Sequence, residues 1–335
     1  MAKSQRGPAH LPTGEPSAEA WVSRGDTLQA HKYFDKALQS YDRAIALKPD
    51  CAQAWGNRGV TLRNLKRLPE AIASYDRALQ IAPSYAEACN NRGNALRELK
   101  QYPAALESYD RAIALKSNYA KAHNHRGNAL AALNRLDEAL QSYERALAIQ
   151  PDYAEAYGNR GNALKDMRRI DDALASYEHA IRLKPEFAEA HHNRAIALQS
   201  LKRHDDALDS YDRALKLKPD GDFLYGAWLH AKMRVGDWSN MREAVSVLER
   251  KVLQGKKAAP PFRSWPCPTM HTYTQRPRKL GCMIAVRNSM ICRCRPSVRP
   301  LTKYTSDIFP LIFTTTPRCI WQRNCSRGMT GHDFR

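Results

Sequence analysis

The amino-acid sequence predicts an all-α protein, a right-handed superhelical solenoid of helical hairpins followed by an unstructured tail. The first observation is a recurring tripeptide, Asn-Arg-Gly, at 57–59, 91–93 and 159–161, with variants at 125–127 and 193–195. Neighbouring copies are 34 residues apart. Leu, Ala, Tyr, Ala and usually Pro follow each copy at fixed distances. A fixed period of this length indicates stacked two-helix repeats that share one elongated core.

The residues before the first repeat, 1–17, contain no apolar stretch of the kind found in secretory signals. We therefore expect a flexible leader there. No apolar run in the sequence reaches the roughly 18 residues that a membrane helix needs. The sequence thus predicts a cytoplasmic protein with no membrane segment.

Six repeats fill residues 18–221, and each is expected to fold as a helix A followed by a helix B. In the third repeat, helix A is predicted over 86–99 and helix B over 103–115, where Ala105, Tyr109 and Ala112 share one face. These faces are complete only against neighbouring repeats, so the array should fold through its interfaces. The units are 18–51, 52–85, 86–119, 120–153, 154–187 and 188–221.

Small residues are predicted to make room for one large tyrosine in each unit. In the third unit these are Gly93 in helix A and Ala105 in helix B, facing Tyr109. Proline follows helix B in five units, where its missing N–H and its clash with the previous turn stop a helix. Ser117 takes the place of proline in the third unit and predicts a softer helix end there.

Residues 222–262 keep the length of a repeat but lose its pattern. We interpret them as a degenerate seventh hairpin, broken at Gly236-Asp237, that caps the array and links it to the tail.

The repeated residues match the tetratricopeptide (TPR) pattern of W-x2-L-G-x2-Y, A-x3-F and P, and the chain resembles a TPR protein over most of its length. The words W-L-H-x-K-M at 228–233 and D-W-S at 237–239 resemble the segment after the TPR array in bacterial relatives of SPINDLY and protein O-GlcNAc transferase, of glycosyltransferase family 41. This resemblance implies a TPR superhelix that presents proteins to a C-terminal domain, which transfers a sugar from a nucleotide donor to Ser or Thr.

Residues 263–335 differ sharply from the repeats. They hold thirteen Lys or Arg against Asp307 and Asp333, and six of the eight cysteines. In a reading frame offset by one base, the codons for 307–317 are compatible with G-Y-F-S-A-D-F-H-N-H-A, which resembles the opening of the family's catalytic region. We therefore hypothesise that this tail is an out-of-frame translation without an evolved fold.

The motifs of the tail predict no site. Its cysteines lack the paired C-x2-4-C spacing typical of zinc ligands. Its basic residues would attract nucleic acid only through phosphate charge, so no specific nucleic-acid binding is predicted.

The candidate site is the groove that helix A lines in TPR arrays. The resemblance to the O-GlcNAc transferases implies that asparagine at the sixth residue of helix A forms a ladder that holds an extended polypeptide. Asparagine suits this role because its amide offers a donor and an acceptor, as a peptide unit does. Asparagines one turn further on would widen the polar row. The candidate residues are Asn57, Asn91, His125, Asn159, Asn193, Asn94, Asn128 and Asn162.

The remaining polar residues suggest no active site. An acidic residue precedes Arg or His once per helix B, which is typical of a solvated, charge-paired face. His191, His192 and His204 are interpreted as surface histidines. No Gly-rich phosphate loop, G-x-S-x-G or H-E-x-x-H occurs, so no catalytic residue, cofactor or metal is predicted. The acidic residues are Asp76, Asp110, Glu144, Glu178 and Asp212.

The sequence favours a protein-binding scaffold, the substrate-recognition half of a SPINDLY-like O-GlcNAc transferase cut short before its catalytic domain. One alternative is an active transferase whose true product continues in frame. Another is a TPR adaptor whose basic tail contacts acidic partners. The expected partner is a protein or peptide in the groove, and the oligomeric state is left open.

Overall fold

The computed structural model describes residues 16–258. Over this range the protein forms fourteen α-helices and no strand, which confirms the predicted all-α class. The described residues divide into two compact units between Ser239 and Asn240. Most of the predicted leader and the whole predicted tail, 263–335, lie outside the described residues.

The first unit contains six helical hairpins, each within one 34-residue repeat. The first helices of the hairpins, called the A helices, are α1 (Ala18–Ala30), α3 (Ala52–Asn64), α5 (Ala86–Glu98), α7 (Ala120–Ala132), α9 (Ala154–Asp166) and α11 (Ala188–Ser200). The second helices, called the B helices, are α2 (Phe34–Leu47), α4 (Leu68–Ile81), α6 (Tyr102–Leu115), α8 (Leu136–Ile149), α10 (Ile170–Leu183) and α12 (His204–Leu217).

A left-handed residue closes every A helix. After α3, Lys66 has φ 62°, and the N–H of Arg67 donates to the carbonyl of Leu62 at 2.9 Å. This bond satisfies a carbonyl that the helix end leaves unpaired, as in a Schellman cap. Glycine or asparagine usually fills such a position, because other side chains lose roughly 1–2 kcal/mol there. The residues are Lys32, Lys66, Lys100, Asn134, Arg168 and Lys202.

The B helices all end at the same position of the repeat, including α6, where Ser117 replaces proline. The predicted softer end of α6 is therefore wrong. The N–H of Lys116 donates to Ala112 at 3.0 Å, and the N–H of Tyr119 donates to Lys116 at 3.2 Å. Equivalent bonds follow α4, from Ala82 and Tyr85. Backbone bonding in this turn thus ends the helix without proline.

The predicted packing of glycine against tyrosine is confirmed. A Cβ placed on Gly93 would lie 2.6 Å from Cε1 of Tyr109, whose side chain is completely buried. The same close approach occurs in four other units, in the pairs Gly25/Tyr41, Gly59/Tyr75, Gly127/Tyr143 and Gly161/Tyr177. Because a carbon atom does not fit at this distance, glycine sets how closely helix A approaches helix B.

The A helices form the inner layer of the first unit. Each A helix contacts the next A helix, whereas no contact of that extent joins successive B helices in the described residues. The layer whose helices lie closer together is the concave one, so the A helices line the groove.

After the last hairpin, α13 (Leu224–Arg234) ends near Gly236, and the buried Lys232 donates to the carbonyl of Ser239 at 2.9 Å. In the second unit, α14 (Met241–Leu253) has buried residues on one face, at Met241, Ala244 and Leu248.

Candidate functional site

Residues of the repeats are numbered here by position, counted from the first residue of each 34-residue unit. The side chains at position six form a half-buried row along the inner layer. The amide nitrogen of Asn57 donates to Asp26 of the previous A helix at 2.8 Å. That of Asn193 donates to Asn162 at 2.9 Å. In both cases the acceptor lies at position nine of the previous unit.

Two other members of the row contact position five of the previous unit instead. The amide nitrogen of Asn159 donates to Asn124 at 3.0 Å, and Nδ1 of His125 lies 2.8 Å from Oδ1 of Asn90. The oxygen of Asn91 is 3.5 Å from the amide nitrogen of Asn90, at the limit of a hydrogen bond. Hydrogen bonds between units therefore position most of the row.

The asparagines at position nine are tied to the buried tyrosines. Tyr109 donates its hydroxyl hydrogen to Asn94 at 2.9 Å, and Asn94 is only 6% exposed. Tyr143 and Tyr177 donate to Asn128 and Asn162 at 2.8 Å. Burial raises the pKa of Tyr109 to about 12, which keeps this hydroxyl a donor at neutral pH. These three asparagines thus satisfy buried hydroxyl groups.

The residue at position nine is apolar in two units, and the hydrogen bonding of the tyrosine hydroxyl differs between them. Val60 stands at this position in the second unit, and the buried hydroxyl of Tyr75 has no hydrogen-bond partner among the described residues. Ile196 stands there in the sixth unit, and Tyr211 donates instead to Gln199 at 2.9 Å.

His125 is the one ring in the row. Burial, together with the positive charges of Arg97, Arg63 and Lys121, lowers its pKa to about 4. The ring is therefore neutral at physiological pH, and it tilts against Tyr109 at 5.9 Å between ring centroids. A neutral imidazole offers one donor and one acceptor, as the asparagine amide does.

Cationic side chains adjoin the row at position twelve. Arg63 lies 3.8 Å from the carboxylate of Glu98, to which Lys66 also donates at 3.0 Å. Nε of Arg97 is buried and has no hydrogen-bond partner in residues 16–258. The middle of the groove therefore holds the basic residues Arg63, Lys66 and Arg97 against the one carboxylate of Glu98.

The arginine of the Asn-Arg-Gly tripeptide joins three helices. Arg92 in α5 donates through Nε to Asp76 in α4 at 2.7 Å and through Nη1 to Ser108 in α6 at 2.8 Å. Arg58, Arg126 and Arg194 make the equivalent contacts. Arg160 keeps the hydrogen bond to Ser176 but lies 3.9 Å from Glu144, and its Nε has no hydrogen-bond partner in residues 16–258.

The acidic residues of the predicted charge-paired face contact residues of the next unit. Asp76 pairs with Arg92 of the next repeat. Asp212 accepts a hydrogen bond at 2.6 Å from Trp228 of α13, which stands where an arginine would be. The reason is geometric, because position seven of each A helix lies beside the previous B helix.

The interpretation of His191 as a surface histidine is wrong. It is 9% exposed, and its Nε2 lies 2.9 Å from the carbonyl of Pro185. His192 is half-buried with its ring 5.8 Å from that of Tyr211, and burial lowers its pKa. Both rings belong to the packing between helices.

Sequence reasoning missed Asn90 and Asn124, the buried acceptors behind the row. Their signal was present, since they occupy position five directly before the row in the third and fourth units. In the units that follow these two, the side chains of the row, His125 and Asn159, contact position five of the previous unit.

No group of three or more His, Cys, Asp or Glu side chains within residues 16–258 is placed to hold a metal ion. Among the helices of the same range, none combines the length and the apolar character needed to span a membrane.

Comparison with known proteins gives repeat families and repeat structures. A family model described as tetratricopeptide repeat matches residues 16–86 and 159–222, and one described as TPR repeat matches 93–134 and 127–167. None of the curated proteins compared with the chain matches it.

Several solved structures are similar in fold. A tetratricopeptide repeat protein from Parabacteroides merdae has a TM-score of 0.57 at 17% identity, with 71% of this chain and 93% of that chain covered. Pseudomonas aeruginosa pilF has a TM-score of 0.55 at 18% identity, covering 62% and 94%. The APC/C hetero-tetramer Cut9-Hcn1 gives 0.59 at 17% identity, but the match spans only 43% of that chain and 64% of this one. At these identities the likeness concerns the fold.

Proposed function

The chain belongs to the tetratricopeptide repeat proteins, and from this premise we propose that the row at position six of its A helices binds an extended polypeptide. The row lies on the inner layer, and its members recur once per repeat. A surface of this kind presents equally spaced polar groups to the regularly spaced peptide units of an extended chain.

One observation carries the proposal. Asn57, Asn159 and Asn193 each use the amide nitrogen for a hydrogen bond within the protein. None of the hydrogen bonds in residues 16–258 ends on their side-chain oxygens. These oxygens are acceptors for the N–H groups of a bound backbone, and the internal bonds hold them in place before binding. Such preorganisation lowers the entropic cost of association.

The proposed contact surface comprises Asn57, Asn91, His125, Asn159 and Asn193. The outer asparagines Asn128 and Asn162 flank it. Asn94 is left out because it is buried and bonded to Tyr109. The cationic groups of Arg63 and Arg97 favour a polypeptide with an acidic side chain near the middle of the groove.

The test is a peptide selected from a random library on the wild-type protein and measured by fluorescence anisotropy. Asn91→Ala with Asn159→Ala removes two polar contacts of about 0.5–1.5 kcal/mol each, so affinity should fall about 5- to 150-fold. Gln39→Ala with Gln141→Ala, on exposed positions of B helices, is the matched control. Equal affinity of both double variants would exclude the row as the contact surface.

We also propose that this chain is the substrate-recognition half of a SPINDLY-like protein O-GlcNAc transferase. This proposal is supported by the sequence motifs W-L-H-x-K-M and D-W-S after the repeats and by the asparagines at position six. The out-of-frame origin of 263–335 is supported by the family-like string that its codons allow in the offset frame.

The DNA across the codons for Pro261 to Trp265, read together with the intact mass of the product, tests this identity. A missing or extra base would favour the in-frame transferase, which should hydrolyse a sugar nucleotide. An unchanged reading with a mass that fits 335 residues would contradict a sequencing error. Loss of a salt-sensitive partner on deleting 263–335 would instead favour the adaptor.

A further inference from the structure

The residue at position four of the A helix carries a ring in every described unit except one. Six units of the described chain carry a ring there, at Trp21, Trp55, His123, Tyr157, His191 and Tyr225. In the third unit the residue is Cys89, which is 1% exposed. A small side chain thus replaces a large ring at one place in the array.

Where contacts of these rings are seen, the ring lies against the residue at position seven of the same A helix or against helix B of the same unit. The guanidinium of Arg58 lies 5.7 Å over the Trp55 ring, whose Nε1 donates to the carbonyl of Pro49 at 3.0 Å. The Tyr157 ring stacks on His179 at 4.8 Å and an interplanar angle of 13°.

In the third unit this space is a pocket of about 440 Å³ between α4, α5 and α6. Its lining includes Leu79 and Cys89, the basic residues Arg92 and Arg111, and the acidic residues Asp76 and Glu107. Arg111 is the counterpart of His179, two repeats earlier. It donates to the carbonyl of Pro83 at 2.9 Å, the counterpart of the acceptor that Trp55 uses in the second unit.

We propose that this pocket binds a tryptophan or tyrosine side chain of a partner polypeptide, in the space that an internal ring fills in the other units. Arg92, held by Asp76 and Ser108, and Arg111, held by the carbonyl of Pro83, would lie beside the bound ring, and a guanidinium at a ring face favours electron-rich rings. Leu79 supplies apolar contact. Burial raises the pKa of the Cys89 thiol, which therefore stays neutral and adds a soft, weakly polar surface.

The pocket is separate from the proposed groove. Positions four and six of one helix point about 160° apart, because successive residues turn by about 100° and two steps make a rotation of about 200°. The proposal therefore does not rest on the function proposed for the row, and loss of either kind of binding leaves the other testable.

The test uses N-acetyl-L-tryptophanamide as the probe and NMR of the full chain with labelled arginine and cysteine. Chemical shifts of Arg92, Arg111 and Cys89 should change on titration, and N-acetyl-L-leucinamide should bind at least tenfold more weakly. Cys89→Trp fills the pocket from within and should abolish the shifts of Arg92 and Arg111. Cys89→His, the residue type found in the fourth and sixth units, is the second variant if the tryptophan does not fit.

A gain-of-function variant provides the matched control. His123→Cys should open the equivalent space in the fourth unit and produce a second set of shifts, at Arg126 and Arg145. Absence of shifts in the wild type, equal binding of the leucine amide, or shifts that persist in both Cys89 variants would each overturn the proposal.

Discussion

Gly93→Ala tests the packing that sets the distance between helix A and helix B. A Cβ at this position would lie 2.6 Å from Cε1 and 2.8 Å from Cδ1 of Tyr109, whose ring has no exposed surface into which it could move. In an isolated helix the substitution would gain about 1 kcal/mol of propensity. The structure predicts the opposite sign.

Two costs oppose that gain. Overpacking a dense interior costs about 1–3 kcal/mol. A displaced Tyr109 ring would also lose its hydrogen bond to Asn94, and a buried hydroxyl without a partner costs about 1–3 kcal/mol. The net expectation is a loss of about 1–5 kcal/mol in unfolding free energy. Urea unfolding followed by circular dichroism measures it, and midpoints are compared because long repeat arrays need not unfold in two states.

The sixth unit shows how the protein accommodates alanine at the glycine position. There Ala195 faces Tyr211, whose hydroxyl donates to Gln199 because Ile196 cannot accept a hydrogen bond.

Transferring that set of residues into the third unit gives a rescue experiment. The triple variant Gly93→Ala, Asn94→Ile, Arg97→Gln should recover most of the stability lost in Gly93→Ala. A single variant as stable as the wild type would refute the packing argument. A triple variant no more stable than the single one would show that these three residues do not explain the accommodation.

Two further predictions compare pairs of sites within the chain, and a third concerns the pH dependence of stability. Tyr75→Phe should leave the unfolding free energy unchanged or raise it, because this buried hydroxyl has no hydrogen-bond partner within residues 16–258. Tyr109→Phe should lower it by about 1 kcal/mol, and urea unfolding measures both. Lys100→Gly should raise the unfolding free energy by about 1 kcal/mol by relieving a left-handed backbone, and Asn134→Gly should change it much less. Burial lowers the pKa of His125 from 6.5 to about 4, so only the unfolded chain takes up this proton between those values. The contribution of His125 to stability is therefore complete above pH 6.5 and falls towards pH 4, by up to about 3 kcal/mol. The variant His125→Asn should not show this fall. Thermal unfolding measured between pH 4 and pH 6.5 compares the two proteins.

The helices were predictable because the period supplies six copies of each signal. Repeated glycine, alanine and tyrosine at fixed spacing place both helices of a hairpin, and one ambiguous copy such as Ser117 does not disturb the others. Hydrogen-bond partners were less predictable. The position of Asp76 in helix B identified it as part of a charge-paired face but did not identify its partner, Arg92, which lies in the next unit. Sequence periodicity describes one helix, and the contact depends on how two units stack.

The polar row was predictable only in part. Asn91 and Asn94 are three residues apart and so share one side of a helix, yet Asn91 is half-buried and Asn94 is buried against a hydroxyl. The distance to the tyrosine distinguishes the two asparagines. Each tyrosine that donates to position nine stands fifteen residues after the Asn or Asp at that position. Position nine is apolar in the second and sixth units, where the tyrosine lacks this bond.

Residues that recur in every repeat are those that make the contacts between units. Their recurrence therefore identifies the structural framework of the array better than it identifies a binding site. Arg92 recurs with its partners in every middle repeat, and all of its described hydrogen bonds are internal. Single departures from the pattern carry different information, because the scaffold does not require them. Cys89 leaves a pocket where other units have a ring, and His125 places a neutral ring in a row of amides. These departures lie in adjacent units on different sides of the A helices, so the third and fourth units are where specificity for a partner should be sought first.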